Sequence, residues 1–239
     1  MDKNKRFWIG FCTALGSLLL ITGLLIASIE MFAINAEYFK SEYAKLGTAQ
    51  NIGMSEDDLE KTTQKLLDYT TDADDDLIIE ADIQGETQAV FGQREIDHMV
   101  DVKALYLGAR NVRTVALIGA VLLIALAFVL GRKETWLVWC KSFLRVSGAF
   151  VVLVTIIGLY AALDFSAFWT SFHRLFFTND LWLLDPATDI LIQMVPEQFF
   201  SDLVGHIIIR FVSIFLTLNV AAIVGAALIR RRSKAIKGV

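Results

Sequence analysis

Four stretches of the chain are apolar for longer than any ordinary amphipathic element: residues 7–29, 113–130, 143–163 and 207–229. A helix needs roughly 20 apolar residues to cross about 30 Å of hydrocarbon. Lipid offers no partner to an unpaired backbone N–H or C=O, so such runs must be helical. Neither Pro186 nor Pro196 interrupts them. Between the first two runs the pattern changes character. Ser55 followed by Glu56, Asp57 and Asp58 reads as a helix N-terminus, with acids where the helix dipole favours them. Leu59, Leu66 and Leu67 carry that helix to about Tyr69. From Leu77 to Phe91, "LIIEADI" and "ETQAVF" flank Gln84-Gly85, the pattern of a hairpin with a glycine-containing turn. Around Arg94 the chain becomes helical again and runs on into the second apolar stretch.

This pattern predicts an all-α transmembrane fold, a four-helix membrane bundle with a small extracytoplasmic α+β lobe. Residues 1–29 form the N-terminus and first span, and 30–112 the lobe. Residues 113–163 hold the second and third spans with a short turn between them. An aromatic segment follows at 164–206, then the last span and a basic tail at 207–239. Lys3, Lys5 and Arg6 imitate the basic start of a signal peptide. The apolar run behind them is too long for one and lacks a small-x-small cleavage site, so it reads as a retained anchor.

Charge sets the orientation. Of 22 Lys and Arg, twelve lie in the N-terminal tip, the 131–145 turn and the tail from Arg230, with only Asp2 and Glu134 as acids. The other 24 acids all lie in 30–113 and 164–210. Short basic loops stay in the cytoplasm, so both termini are expected inside and the two long segments outside, in a multi-pass protein of the cell membrane. The tail reads as a stop-transfer anchor and not as a nucleic-acid site. Hydrophobic residues make up 55% of the chain, which excludes disorder. Cys12 and Cys140 sit in or beside apolar runs and imply no disulfide framework.

The segment 164–206 carries nine aromatic residues and both prolines. At roughly 25 cal/mol per Å2 of apolar surface, a free loop of that composition would not stay in water. It is expected at the outer headgroup level or packed across the mouth of the bundle. The acids Asp72, Asp74, Asp75 and Asp76 resemble the start of a calcium loop. The sixth and twelfth positions, however, hold Leu77 and Ile83 where Gly and Glu are needed, so a solvated acidic turn is expected.

All three histidines fall in the expected outer segments. Glu95, His98 and Asp101 recur every three residues and share one helix face. A neighbouring carboxylate fixes an imidazole's tautomer and raises its pKa. His173 lies among aromatics, with Arg174, Asn179 and Asp180 close by; His206 opens the last span and reads as an interfacial side chain. Conventional nucleophile devices are missing. There is no Gly-x-Ser-x-Gly elbow and no His-Glu-x-x-His helix. Two histidines plus an aspartate leave zinc open.

The run "FHRLFFTNDLWLLDPATDILIQMVPEQFF", with "HMVDVK" upstream and four similarly placed spans, resembles the lipoprotein intramolecular transacylase family, Lit, of Gram-positive bacteria. The resemblance implies transfer of the sn-2 acyl chain of a lipoprotein's diacylglyceryl-cysteine to the α-amine of that same cysteine. The product is a lyso-form lipoprotein. It also implies that His98 and His173 are the catalytic pair. Glu95, Asp101, Arg174, Asn179, Asp180, Trp182 and Asp185 are weaker supporting candidates. The residues fit this chemistry. Proximity within one substrate molecule replaces an enzyme nucleophile. An imidazole takes the amine's proton, a second protonates the departing glycerol oxygen, and Arg174 or Asn179 holds the oxyanion. Glu95, Asp101 or Asp180 would orient an imidazole. Which histidine is base, and whether an acyl-histidine forms, stay open. No metal and no cofactor are expected, since ester to amide is downhill. The expected partners are diacylated bacterial lipoproteins and membrane lipid, with the protein a monomer. Two other classes remain: a non-enzymatic four-span receptor or accessory subunit, and a zinc-dependent membrane hydrolase.

Overall fold

The computed structural model describes residues 2–237, and the side chains of residues 2–231 except 134. The acid at 134 and the basic tail from residue 232 therefore lie outside the described side chains. The regular elements among the described residues are nine α-helices, one 3-10 turn (Arg132–Glu134) and one hairpin. They divide into two compact units, Met1–Ser28 with Asn111–Leu159 and Ile208–Val239, and Ile29–Arg110 with Tyr160–Ile207.

The first unit is built from parts of α1 (Lys3–Ala33), α5 (Gln93–Gly131), α6 (Thr135–Leu163) and α9 (Glu197–Lys237). Each is long and apolar enough to cross a membrane. All four extend beyond the expected apolar runs, because nothing in the flanking polar residues stops a helix. α5 begins at Gln93, more than five turns before the apolar run expected at 113, and α9 begins straight after Pro196. Ile21 of α1, Phe143 of α6, and Phe211 and Phe215 of α9 form one buried cluster. Ile9, Cys12 and Ala127 form another. The outward faces are apolar as well, with Val115, Val121, Val129 and Ile156 exposed. A helix that is apolar all round needs an apolar solvent. Two buried polar side chains of α1 are satisfied within the unit: the Thr13 hydroxyl donates to Ser142 at 3.0 Å and Ser17 donates to the Thr13 carbonyl at 2.6 Å.

The second unit carries the polar elements. α2 (Ala36–Leu46) and α3 (Thr48–Ile52) precede the expected helix, which is α4 (Glu56–Thr71). Ser55 caps α4 by accepting the Asp58 N–H at 3.0 Å. β1 (Glu80–Ile83) and β2 (Glu86–Ala89) pair antiparallel, with Ile83 opposite Glu86. The turn between them puts both Gln84 (φ 57°) and Gly85 (φ 90°) in left-handed backbone. That two-residue geometry matches the twist of a hairpin, and glycine adopts it at no steric cost. The acidic turn is not merely solvated: Lys65 pairs with Asp74 at 2.7 Å and Asp76 at 2.8 Å, and Lys103 pairs with Asp72 at 2.7 Å. The aromatic segment folds into α7 (Phe165–Phe176), α8 (Ile190–Met194) and the first turns of α9. Asp164 ends α6 and caps α7, accepting the Ala167 N–H at 2.9 Å. Phe199 is the centre of the core, fully buried and packed against Phe39 (4.8 Å), Tyr38 (5.7 Å) and Tyr43 (5.9 Å).

Candidate active site

The site lies within the second unit, where the first turns of α5 meet the last turn of α7 and the segment that follows it. His98 stands on the second turn of α5 and His173 near the end of α7. Seventy-five residues apart in sequence, both are buried, and their ring centroids are 6.3 Å apart.

His173 has a defined tautomer. Its Nδ1 is 2.8 Å from the Trp169 carbonyl oxygen, one helical turn back. A carbonyl only accepts, so Nδ1 carries the hydrogen and Nε2 keeps its lone pair. Four aromatic rings enclose the imidazole. Trp182 stacks on it at 4.8 Å, Trp169 meets it edge-on at 4.8 Å, and Phe172 and Phe177 lie at 5.6 and 5.7 Å. Phe177 also touches His98, edge-on at 5.3 Å. The Nδ1 of His98 is buried with no hydrogen-bond partner among the described residues. Unpaired buried polar atoms are rare in folded proteins and ask for a reason.

Burial pushes His98 down to about 4, helped by the neighbouring His173 and opposed by Asp101. Burial likewise lowers His173, against the opposing effect of its bond to the Trp169 carbonyl. Both imidazoles are thus neutral at physiological pH. Two positive charges at this spacing in an apolar setting would repel strongly.

The remaining candidates divide into distinct roles. Asp101 is half-buried and accepts the Asn179 amide at 2.8 Å, which ties α5 to the segment after α7. Trp182 donates its indole N–H to the Asn179 carbonyl at 3.0 Å, fixing the ring that stacks on His173. Arg174 is exposed, on an open cleft of about 560 Å3 lined also by Thr170, Phe177, Thr178, Asn179 and Trp182. Asp180 lines the same cleft, and its backbone carbonyl accepts from the guanidinium of Arg94. Asp185 builds a turn, its carboxylate accepting the Ala187 N–H at 2.9 Å. Glu95, expected to orient an imidazole, has both oxygens on backbone amides, those of Gly92 and Leu191, each at 2.6 Å. His206 packs elsewhere in the unit, against Tyr38 and Phe32, with Nδ1 on the Asp202 carbonyl at 2.9 Å.

Arg94, Trp169 and Phe177 were not among the expected site residues. Trp169 sits at i−4 from His173 and becomes legible once the segment is read as a helix. Phe177 sits at i+4 from His173 and is legible in the same way, while Arg94 reaches its place only through a contact distant in sequence. Among the described residues, no three His, Cys, Asp or Glu side chains are grouped to hold a metal ion.

Long helices apolar on every face, with a buried pair of imidazoles in the unit that carries the polar elements, define a multi-pass membrane protein with a paired-histidine site. Residues 14–200 match the family model of the lipoprotein intramolecular transacylase Lit, and the chain belongs to that family. Its fold is that of the in meso structure of the membrane integral lipoprotein intramolecular transacylase Lit from Bacillus cereus. The two are 19% identical, with a TM-score of 0.63 over 100% of this chain and 99% of that one. A second structure of the Bacillus cereus protein, with a histidine replaced by arginine, is 18% identical. It gives a TM-score of 0.65 over 95% of this chain and 92% of that one. No curated protein sequence matches the chain significantly.

Proposed function

We propose that the protein moves the sn-2 acyl chain of a lipoprotein's diacylglyceryl-cysteine to the α-amine of the same cysteine, by direct aminolysis catalysed by His98 and His173. The observation that carries this reading is the convergence of the two imidazoles, with the His173 lone pair left on Nε2. The neutral amine attacks the sn-2 ester carbonyl and forms the C–N bond. His173 Nε2 takes the proton that the nitrogen sheds. The tetrahedral intermediate then expels the glycerol oxygen as the C–O bond breaks, and the same proton passes to that oxygen. His98, neutral at working pH, offers its N–H to the oxygen that bears the developing charge. Protons and electrons balance within one substrate molecule, and the amide is the more stable product.

The ring of Trp169, Phe172, Phe177 and Trp182 suits a fatty ester at the lipid–water boundary, and the cleft at Arg174 and Asn179 suits its polar glycerol and peptide end. In this reading the second unit faces the outside of the cell membrane, and both termini lie in the cytoplasm, as the distribution of Lys and Arg favours.

The test is H173N, which retains a donor for the Trp169 carbonyl but has no counterpart of Nε2. In the folded, membrane-inserted variant, lyso-product measured by mass spectrometry of lipoprotein N-termini should fall by about 10²- to 10⁴-fold, the usual worth of a general base. H98Q should fall comparably. Wild-type rates in either variant overturn its assigned role, and a trapped acyl-enzyme overturns direct aminolysis.

A further inference from the structure

We infer that Glu95 is a positioning residue for this reaction, a buried carboxylate clamp that holds the His98 end of α5 against the segment following His173. The inference rests on the transacylase reading for its kinetic consequence and on geometry for its mechanism.

Glu95 is 3% exposed, and both of its oxygens are engaged by backbone. Oε2 accepts the N–H of Gly92 at 2.6 Å, closing the first turn of its own helix. Oε1 accepts the N–H of Leu191 at 2.6 Å, in the first turn of α8, ninety-six residues away. The Leu191 bond satisfies a helix-end donor that would otherwise be buried without a partner, and the Gly92 bond caps the exposed first turn of α5. One turn along α5 from Glu95 stands His98. On the far side of the bond, the chain leading into α8 includes Trp182, the ring stacked on His173. The clamp therefore joins the two halves of the imidazole pair through backbone.

Two neighbouring ties are weaker. The guanidinium of Arg94 reaches the Asp180 carbonyl, and the Asn179 amide reaches Asp101, but Arg94, Asn179 and Asp180 are exposed and compete with water. Glu95 is shielded. Burial raises its carboxyl above the usual range, while the N–H groups of Leu191 and Gly92 hold it down. A carboxylate offers acceptors at both ends. A glutamine of the same size offers one, and turns its NH2 toward a backbone N–H that needs an acceptor. E95Q can keep one of the two bonds, whereas E95A keeps neither and so breaks the tie to buried Leu191.

The experiment compares the full-length wild type with E95Q and E95A in detergent or lipid. The chain has only three histidines, so nitrogen-15 labelling of histidine gives assignable titrations. The groups around His98 are His173, Asp101 and the uncharged Phe177 ring, with Glu95 one turn away on its own helix. The expected result for E95A is a fall in kcat of about tenfold or more with KM within about twofold, as a loss confined to the catalytic step requires. His98 should at the same time titrate nearer its ordinary value of about 6.5, as its ring separates from His173 and gains water. Removing a negative charge alone moves His98 the other way, so the sign of the shift separates positioning from simple electrostatics. A kcat within twofold of wild type, or an unmoved or lowered His98, overturns the clamp. If wild type yields no lyso-product, the transacylase reading fails while the titration still decides whether Glu95 sets the imidazole pair.

Discussion

His98 and His173 are buried bases that stay neutral, and this shapes how the protein should respond to acid. A base whose folded pKa lies below its ordinary value binds fewer protons folded than unfolded. Its contribution to stability is fully present above about 6.5, the ordinary imidazole value, and is lost as pH falls toward the folded value of about 4 for His98. Catalysis follows the same direction. With both imidazoles already unprotonated, the group that titrates in the working range is the substrate's α-amine, near 8. A plot of log kcat/KM against pH should therefore rise to about 8 with no break near 6.5. A break at 6.5 would show an imidazole titrating as though solvated, and would contradict the burial seen here. At this scale the sequence was informative about residue type and poor about partnership. The spacing of Glu95, His98 and Asp101 placed them on one face. It did not reveal that Glu95 turns to Leu191, because that bond depends on how two distant segments meet.

At the scale of elements, legibility followed the strength of local signals. α4 announced itself through Ser55 and three acids, and the hairpin through Gln84-Gly85 between two apolar runs. α2 was overlooked although its punctuation is present: Asn35 caps it by accepting the Tyr38 N–H at 3.2 Å, and Gly47 ends it at φ 66°. Its buried Tyr38, Phe39 and Tyr43 read as scattered aromatics until Phe199 supplies the surface that they cover. α7 was hidden by its own composition, since so many aromatics suggested a loop resting on lipid. The apolar helices were the most legible elements, but the reason they pack closely was not. A Cβ added at Gly16 would come within 2.9 Å of Ile124, and one at Gly23 within 2.6 Å of Leu117, so α1 and α5 approach where α1 has no side chains. Small residues are how helices gain contact in lipid, where the hydrophobic effect drives no association. Gly23→Leu should force this pair apart at a cost of about 1–3 kcal/mol, typical of overpacking. The thermal midpoint of the detergent-solubilised protein should drop accordingly. Gly10→Leu, where nothing lies within 4 Å of the added carbon, serves as the control and should leave it unchanged.

At the scale of the whole molecule, the proposed chemistry depends on which side of the membrane the imidazoles occupy. In the proposed reaction the substrate ester lies at glycerol depth in the outer leaflet, so a cytoplasmic His98–His173 pair would not reach it. Charge favours an outer location. Moving short basic loops across a membrane is opposed, while acidic segments translocate largely without regard to charge. The turn that carries Arg132 and Lys133 should therefore be inside, and the acidic turn at 72–76 outside. The chain lends itself to a direct test, because Cys12 and Cys140 are both buried and give little background to a thiol reagent. Asp75 and Lys133 are exposed positions for a single new cysteine. A membrane-impermeant maleimide should label D75C in intact cells, and label K133C only after the membrane is opened. The opposite pattern would put the paired histidines in the cytoplasm and leave the transacylase mechanism without a substrate, whatever the distance between the rings.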